Sequence, residues 1–302
     1  MSSTQQQHWS APTPWIDLHC SLGEGPFYEP GANSLRFVDI IKKQLHTVSL
    51  AAGPDSLSTQ TFDEAVTVTA DIEGVDPTEK ILVGAKQGVA VLDRKNGKYE
   101  YVRKYGDAVP GAGSERIRSN DGVVDPHGRF WLGTMTDFPY GNPTDEGSLF
   151  LFTPSSAKIL KSNLTIPNSV GFSPNHKTVY FTHTTANQIL AWDYDTVSGS
   201  ISNERVFYEH SGPGSPDGFR VDVEGNIWHA IYGGACVLKI SPGGKLVGKV
   251  DVGTKNATCV EFVGTELFIT TADEEGERYG GGLFRVDVGV EGVRGFRYKL
   301  EK

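Results

Sequence analysis

The chain has 302 residues, with 37 acidic against 28 basic side chains and a formal net charge of −9. No Lys/Arg block offsets that balance, which excludes a nucleic-acid backbone as partner, and no apolar run is long enough to span a bilayer as a helix. The 36 glycines and 16 prolines, set among β-branched and aromatic runs, point to strands and turns rather than long helices.

In chain order, residues 1–14 read as a disordered tail. The opening Met-Ser-Ser-Thr-Gln-Gln-Gln lacks the basic region and apolar core of a secretory signal, so a cytoplasmic protein is expected. From there, apolar and aromatic segments recur at 34–39, 80–84, 128–133, 177–182, 225–230 and 265–270. Six copies spaced roughly 40–50 residues apart have the period of propeller blades. Most are followed about ten residues later by a second apolar segment, at 88–93, 148–152, 188–193, 235–240 and 282–287, as hairpin-linked antiparallel strands would be. The expected fold is all-β, a six-bladed β-propeller over residues 15–302, and the repeat count favours it over a two-layer sandwich. A strand from 15–19 or 295–300 is expected to complete the last blade.

Four polar signatures lie just ahead of such segments: Leu22-Gly23-Glu24-Gly25-Pro26, Arg118-Ser119-Asn120-Asp121-Gly122, Pro167-Asn168-Ser169 and Pro216-Asp217-Gly218. Each sets a carboxylate or carboxamide beside Gly or Pro, where a chain turns tightly. Singly they read as turns; recurring at like positions in successive units, they can converge on one axis. Their oxygens suit a hard divalent cation, Ca2+, Mg2+ or Mn2+, or Zn2+ with few ligands and water. Asp121 reads as a turn or capping residue, because Asn120 would point to the opposite side of an extended chain. Cys20, Cys236 and Cys259 match neither a zinc nor a CxxC pattern, and Cys236 and Cys259 read as small buried hydrophobes.

These four motifs, with the run from Arg118 to Met135 as the longest, resemble the family of senescence marker protein 30 (regucalcin), gluconolactonase and luciferin-regenerating enzyme, over nearly the whole chain. The resemblance implies a six-bladed propeller that hydrolyses sugar lactones with one divalent metal. It implies Glu24, Asn168 and Asp217 as metal ligands, and Arg118 and Asn120 facing the substrate. Asp217 is then the expected general base, with Ca2+ ranked first among the cations. The expected partner is a small-molecule lactone, with no nucleic acid and no membrane, in a monomer or weak homo-oligomer. Two features depart from the pattern. The insertion-like stretch 136–146 brings Phe138 and Tyr140 to a loop over the pocket, and His183 stands where relatives often carry an acid, so it joins the substrate-binding candidates. Alternatives are hydrolysis of other activated esters, aryl lactones or organophosphates, and a non-catalytic Ca2+-binding propeller.

Overall fold

The six apolar repeats become the second strand of six successive sheets in a computed structural model that describes residues 6–108 and 115–300. Among the described residues there are 24 strands and four three-residue 3-10 turns, and no α-helix. The sheets are the blades of a six-bladed propeller. Blades 1 to 6 begin with the inner strands Gly23–Glu29, Val68–Ala70, Ile117–Val124, Pro167–Phe172, Ser215–Val221 and Ala257–Val263. Each then steps outward by antiparallel hairpins, through four strands in blades 1 to 5 and three in blade 6.

Packing explains why the second strands are so legible. A blade is covered on both faces by its neighbours, so its second strand carries an almost unbroken apolar run; every residue of Phe130–Thr136 is buried. One apolar cluster fills each of the six seams. Trp131, Leu149 and Phe181 join blades 3 and 4, and Trp228, Val260 and Phe284 join blades 5 and 6. The turns that join the inner and second strands of blades 3 and 5 are clasped alike. Asp125 accepts the His127 and Arg129 N–H groups and the Trp131 indole, and Asp222 accepts those of Glu224, Asn226 and Trp228.

Closure differs from the sequence expectation. Gln7–Ala11 is a strand, running parallel to Leu246–Val252 as a fifth member of blade 5, so the expected disordered tail does not hold for that part; residues 1–5 lie outside the described residues. The 15–19 segment does reach blade 6, but only through a single bridge, Ile16 to Leu283. The 295–300 segment completes no blade; its one bridge, Tyr298 to Ile72, lies just past the inner strand of blade 2. It belongs to a strap, residues 292–300, that crosses the lower ends of the inner strands. The Val293 N–H donates to Val221 O at 2.8 Å, that of Tyr298 to Asp71 O at 2.8 Å and that of Lys299 to Gly128 O at 3.0 Å. Residues 293–296 and the lower part of all six inner strands line a cavity of about 60 Å3, and Glu24, Asn168 and Asp217 are not on its walls.

Candidate metal centre and substrate pocket

The motifs read as turns are themselves the innermost strands, and a bulge in each explains the disguise. Register slips by one residue between Glu24 and Phe27, Ser119 and Gly122, Pro167 and Val170, and Pro216 and Phe219. A bulge leaves one residue out of the ladder and re-aims its side chain, which is why Gly and Pro flank the polar residues here. Repeated around the axis, the bulges bring Glu24, Asn168 and Asp217 together at the upper end of the channel, each buried.

Hydrogen bonds run from blade to blade at this level. Thr67 Oγ1 donates to Ser119 Oγ at 2.8 Å, Asn120 Nδ2 to Pro167 O at 3.0 Å, and Ser169 Oγ to Asp121 Oδ2. Ser169 Oγ in turn accepts the Phe219 N–H at 2.9 Å, Asn168 Nδ2 donates to Asp217 Oδ1, and Thr258 Oγ1 donates to Gly23 O at 2.5 Å. Asp121 is thus no surface turn. The bulge breaks the alternation that would have turned it away from Asn120, and both reach toward blade 4.

The electrostatics are those of an anionic site that Arg220 offsets only in part. Burial, then the charges of Asp217 and Asp121, hold the Glu24 carboxyl well above the usual range, and burial, then Asp121, does the same to Asp217. Glu24 Oε2 accepts the N–H of Gly25 at 2.9 Å, and Oε1 accepts no hydrogen bond among the described residues. Asn168 Oδ1 accepts the Ser169 N–H at 3.0 Å and retains a second lone pair. No group of three or more His, Cys, Asp or Glu side chains is arranged to hold a metal among the described residues. The candidate set is instead two carboxylates and a carboxamide, and buried oxygens that repel one another fit a hard divalent cation.

A pH dependence follows. Raised carboxyl pKa values mean that, without a cation, these groups favour the fold fully below their ordinary values of 3.8 and 4.5, and that contribution is lost as pH rises through the raised values. The gain in melting temperature on adding Ca2+ to chelator-treated protein is therefore expected to widen from pH 4 to pH 8. A gain that stays flat across that range would contradict the coupling.

Arg118 is buried, and its partner is not the neighbouring Asp121. Nη1 donates to Ser119 O at 2.6 Å and to Asn120 Oδ1 at 3.0 Å, Nε lies 3.8 Å from Asp137 Oδ1, and the Phe138 ring covers the guanidinium with its centroid at 4.3 Å. Burial pulls its pKa down to about 10, opposed by Asp137 and Glu24, so it is charged at neutral pH. The 136–146 stretch therefore sits on the pocket: Asp137 pairs with Lys86, and Phe138 and Tyr140 remain exposed. His183 is half-buried at the rim opposite Pro167, with Nε2 3.4 Å from Thr185 Oγ1 and no hydrogen bond to Glu24, Asn168, Asp217, Arg118 or Asn120. The histidine that touches the site is His229. Burial drops its pKa to about 3, and its Nε2–H donates to the Asp217 carbonyl at 3.1 Å. The only hint in sequence was a lone polar residue inside the apolar run Ile227-Trp228-His229-Ala230. All three cysteines are buried and unpaired.

Fold and site together define a six-bladed propeller with a cluster of buried oxygen donors at one end of its channel. Residues 22–273 match the SMP-30/gluconolactonase/LRE-like region, and the chain belongs to that family. It is 32% identical over 306 residues to a pentonolactonase of Haloferax volcanii, covering 93% of this chain and 96% of that protein. To the regucalcin of Bos taurus it is 31% identical over 299 residues, covering 93% and 95%. Among solved structures, a calcium-binding protein, regucalcin, from Agrobacterium tumefaciens superposes with a TM-score of 0.85 at 26% identity, covering 98% of this chain and 99% of that one. A luciferin-regenerating enzyme superposes with a TM-score of 0.82 at 28% identity, covering 93% and 96%.

Proposed function

We propose that this protein is a divalent-cation-dependent lactonase that opens a sugar lactone to the hydroxy acid. The observation that carries the reading is the convergence of Glu24, Asn168 and Asp217, all buried, with both carboxyls held above their ordinary range, beside Arg118. Similarity to a pentonolactonase supports the reaction class, and similarity to a calcium-binding protein supports Ca2+ as the first cation to test. Glu24, Asn168 and Asp217 would hold the cation, which when bound supplies Lewis-acid polarisation of the ester carbonyl.

The rest falls to the chain's own groups. Arg118 Nη2, which has no hydrogen-bond partner among the described residues, is the donor available to a ring hydroxyl or carbonyl oxygen, and Asn120 keeps the guanidinium in plane. Asp217 Oδ1 is engaged by Asn168, so Oδ2 is the atom that takes a proton from the attacking water. The water oxygen bonds to the carbonyl carbon, the ring C–O bond breaks, and the proton passes to the leaving alkoxide, giving one hydroxy acid.

Proton release from chelator-treated protein tests this, with D-glucono-1,5-lactone, an L-sugar 1,4-lactone and dihydrocoumarin, and with Ca2+, Mg2+, Mn2+ or Zn2+ restored singly. Cation-dependent hydrolysis above the spontaneous rate is expected, with Arg118→Ala chiefly raising KM. No hydrolysis with any pairing, despite cation binding, would overturn the reading in favour of a binding propeller or another ester class. Exposed Phe138 and Tyr140 at the mouth favour a second reading, an aryl lactone, which preference for dihydrocoumarin would support.

A further inference from the structure

Arg220 follows Asp217 by three residues on the same inner strand, and the mechanism above does not use it. Its guanidinium lies in the channel and makes contacts on three blades. Nη1 donates to Phe219 O in its own strand at 2.9 Å, Nε donates to Glu261 Oε2 in blade 6 at 3.2 Å, and Nη2 donates to Pro26 O in blade 1 at 3.2 Å. Pro26 lies inside the bulge that turns Glu24 to the axis, between the register pairs Glu24 with Val38 and Phe27 with Arg36. Glu261 is itself anchored, its Oε1 accepting the Phe262 N–H at 2.9 Å. One planar fork therefore ties the strand of Asp217 to the bulge of Glu24 across two seams. Burial alone would pull the pKa of Arg220 down, but Cys259, Glu261 and Asp121 outweigh it, so the fork is charged.

We propose that Arg220 is a positioning residue for the cation site: by joining the Pro26 carbonyl to the Asp217 strand it sets how far Glu24 stands from Asp217. The inference rests on the cation reading above. Oxygen ligands to Ca2+ must all lie within about 2.3–2.6 Å of the ion, so a slackened bulge withdraws Glu24 from the set even though Glu24 itself is intact. Arginine is required because its donors diverge in one rigid plane. A lysine keeps the charge but, as a point ammonium on a flexible stem, does not span Glu261, Phe219 O and Pro26 O together.

Calorimetric titration of Ca2+ into chelator-treated protein tests this on the wild type, Arg220→Lys, Glu261→Gln and Glu24→Gln, with a melting curve of each. Arg220→Lys is expected to bind Ca2+ at least tenfold more weakly, and its lactone turnover to recover toward the wild-type value at saturating Ca2+. General structural damage would lower turnover at every Ca2+ concentration. An affinity within twofold of wild type, or turnover that added Ca2+ does not restore, overturns the proposal. If Arg220→Lys does not fold, Glu261→Gln serves: it frees one arm of the fork while preserving shape, and should weaken Ca2+ binding at least threefold, with unchanged affinity counting against the role. The underlying cation reading fails separately, if wild type binds no Ca2+ or Glu24→Gln binds it as well as wild type.

Discussion

Asp217→Ala is expected to lower kcat by roughly a thousandfold, the equivalent of about 4 kcal/mol of transition-state stabilisation, while the chelator-treated variant melts at a higher temperature than chelator-treated wild type. The two effects have one origin. Asp217 is a ligand and proton acceptor in the proposed mechanism, and it is also a buried carboxylate in mutual repulsion with Glu24 and Asp121. Deleting it would then remove function and relieve repulsion between like charges, the trade expected where a site is built against stability. Glu24→Ala should behave alike. Proton-release kinetics with a melting curve checks both halves. A fall in kcat of only two- or threefold for Asp217→Ala would contradict its role, and a lower melting temperature would contradict the repulsion.

Arg36→Met should have the largest effect on stability alone. Arg36 is wholly buried at the seam of blades 1 and 2. Nη1 contacts Glu29 Oε1 at 2.7 Å and Asp71 Oδ1 at 2.9 Å, Nε donates to Thr69 Oγ1 at 2.7 Å, and the guanidinium lies over Phe27 at 3.9 Å. Removing one partner from a buried ion cluster leaves its counter-charges stranded, at a cost of about 3–5 kcal/mol. Glu29 would retain Arg94 and the Ser34 hydroxyl, and Asp71 would lose its ion-pair partner. Although burial raises the pKa of Glu29, Arg36 and then Arg94 pull it below its ordinary 4.5, so the stability this group contributes is present above that value and lost as pH falls through the lower folded one. The deficit of Arg36→Met relative to wild type should therefore be full at pH 7 and shrink under acid. Urea unfolding at pH 7 and at pH 4 measures it, and a difference below about 1 kcal/mol at pH 7 would refute the assignment.

The middle strands of the blades were legible because burial on both faces writes an apolar run into the sequence, as at Phe130–Thr136 and Thr178–His183. The inner strands were not. Asn120, Asn168 and Asp217 sit in bulges whose Gly and Pro neighbours have the composition of turns, so sequence reveals the motif and hides the strand. The outer strands, such as Ile201–Glu209, face solvent over most of their length, and the apolar residues they carry form neither a buried run nor a strict alternation. Within the site, residue types named the oxygen donors, but the contribution of Asp121 depends on a register slip and that of His229 on a contact with a backbone carbonyl from another strand. The Arg36 cluster was illegible for the same reason: Arg36, Glu29 and Asp71 are ordinary surface types until the seam closes around them.

The strap of residues 292–300 gives the channel a floor. If the strap closes that end, a molecule that reaches Glu24, Asn168 and Asp217 leaves by the route it entered, past Arg118 and Phe138. Entry and exit are then one queue. For a reaction that turns a neutral ring into a carboxylate, the departing anion meets the Arg118 cation on its way out while the next neutral substrate waits, so product competes with substrate for one doorway. A single entrance would make the speed of clearing the mouth, as well as the chemistry at its base, a determinant of flux.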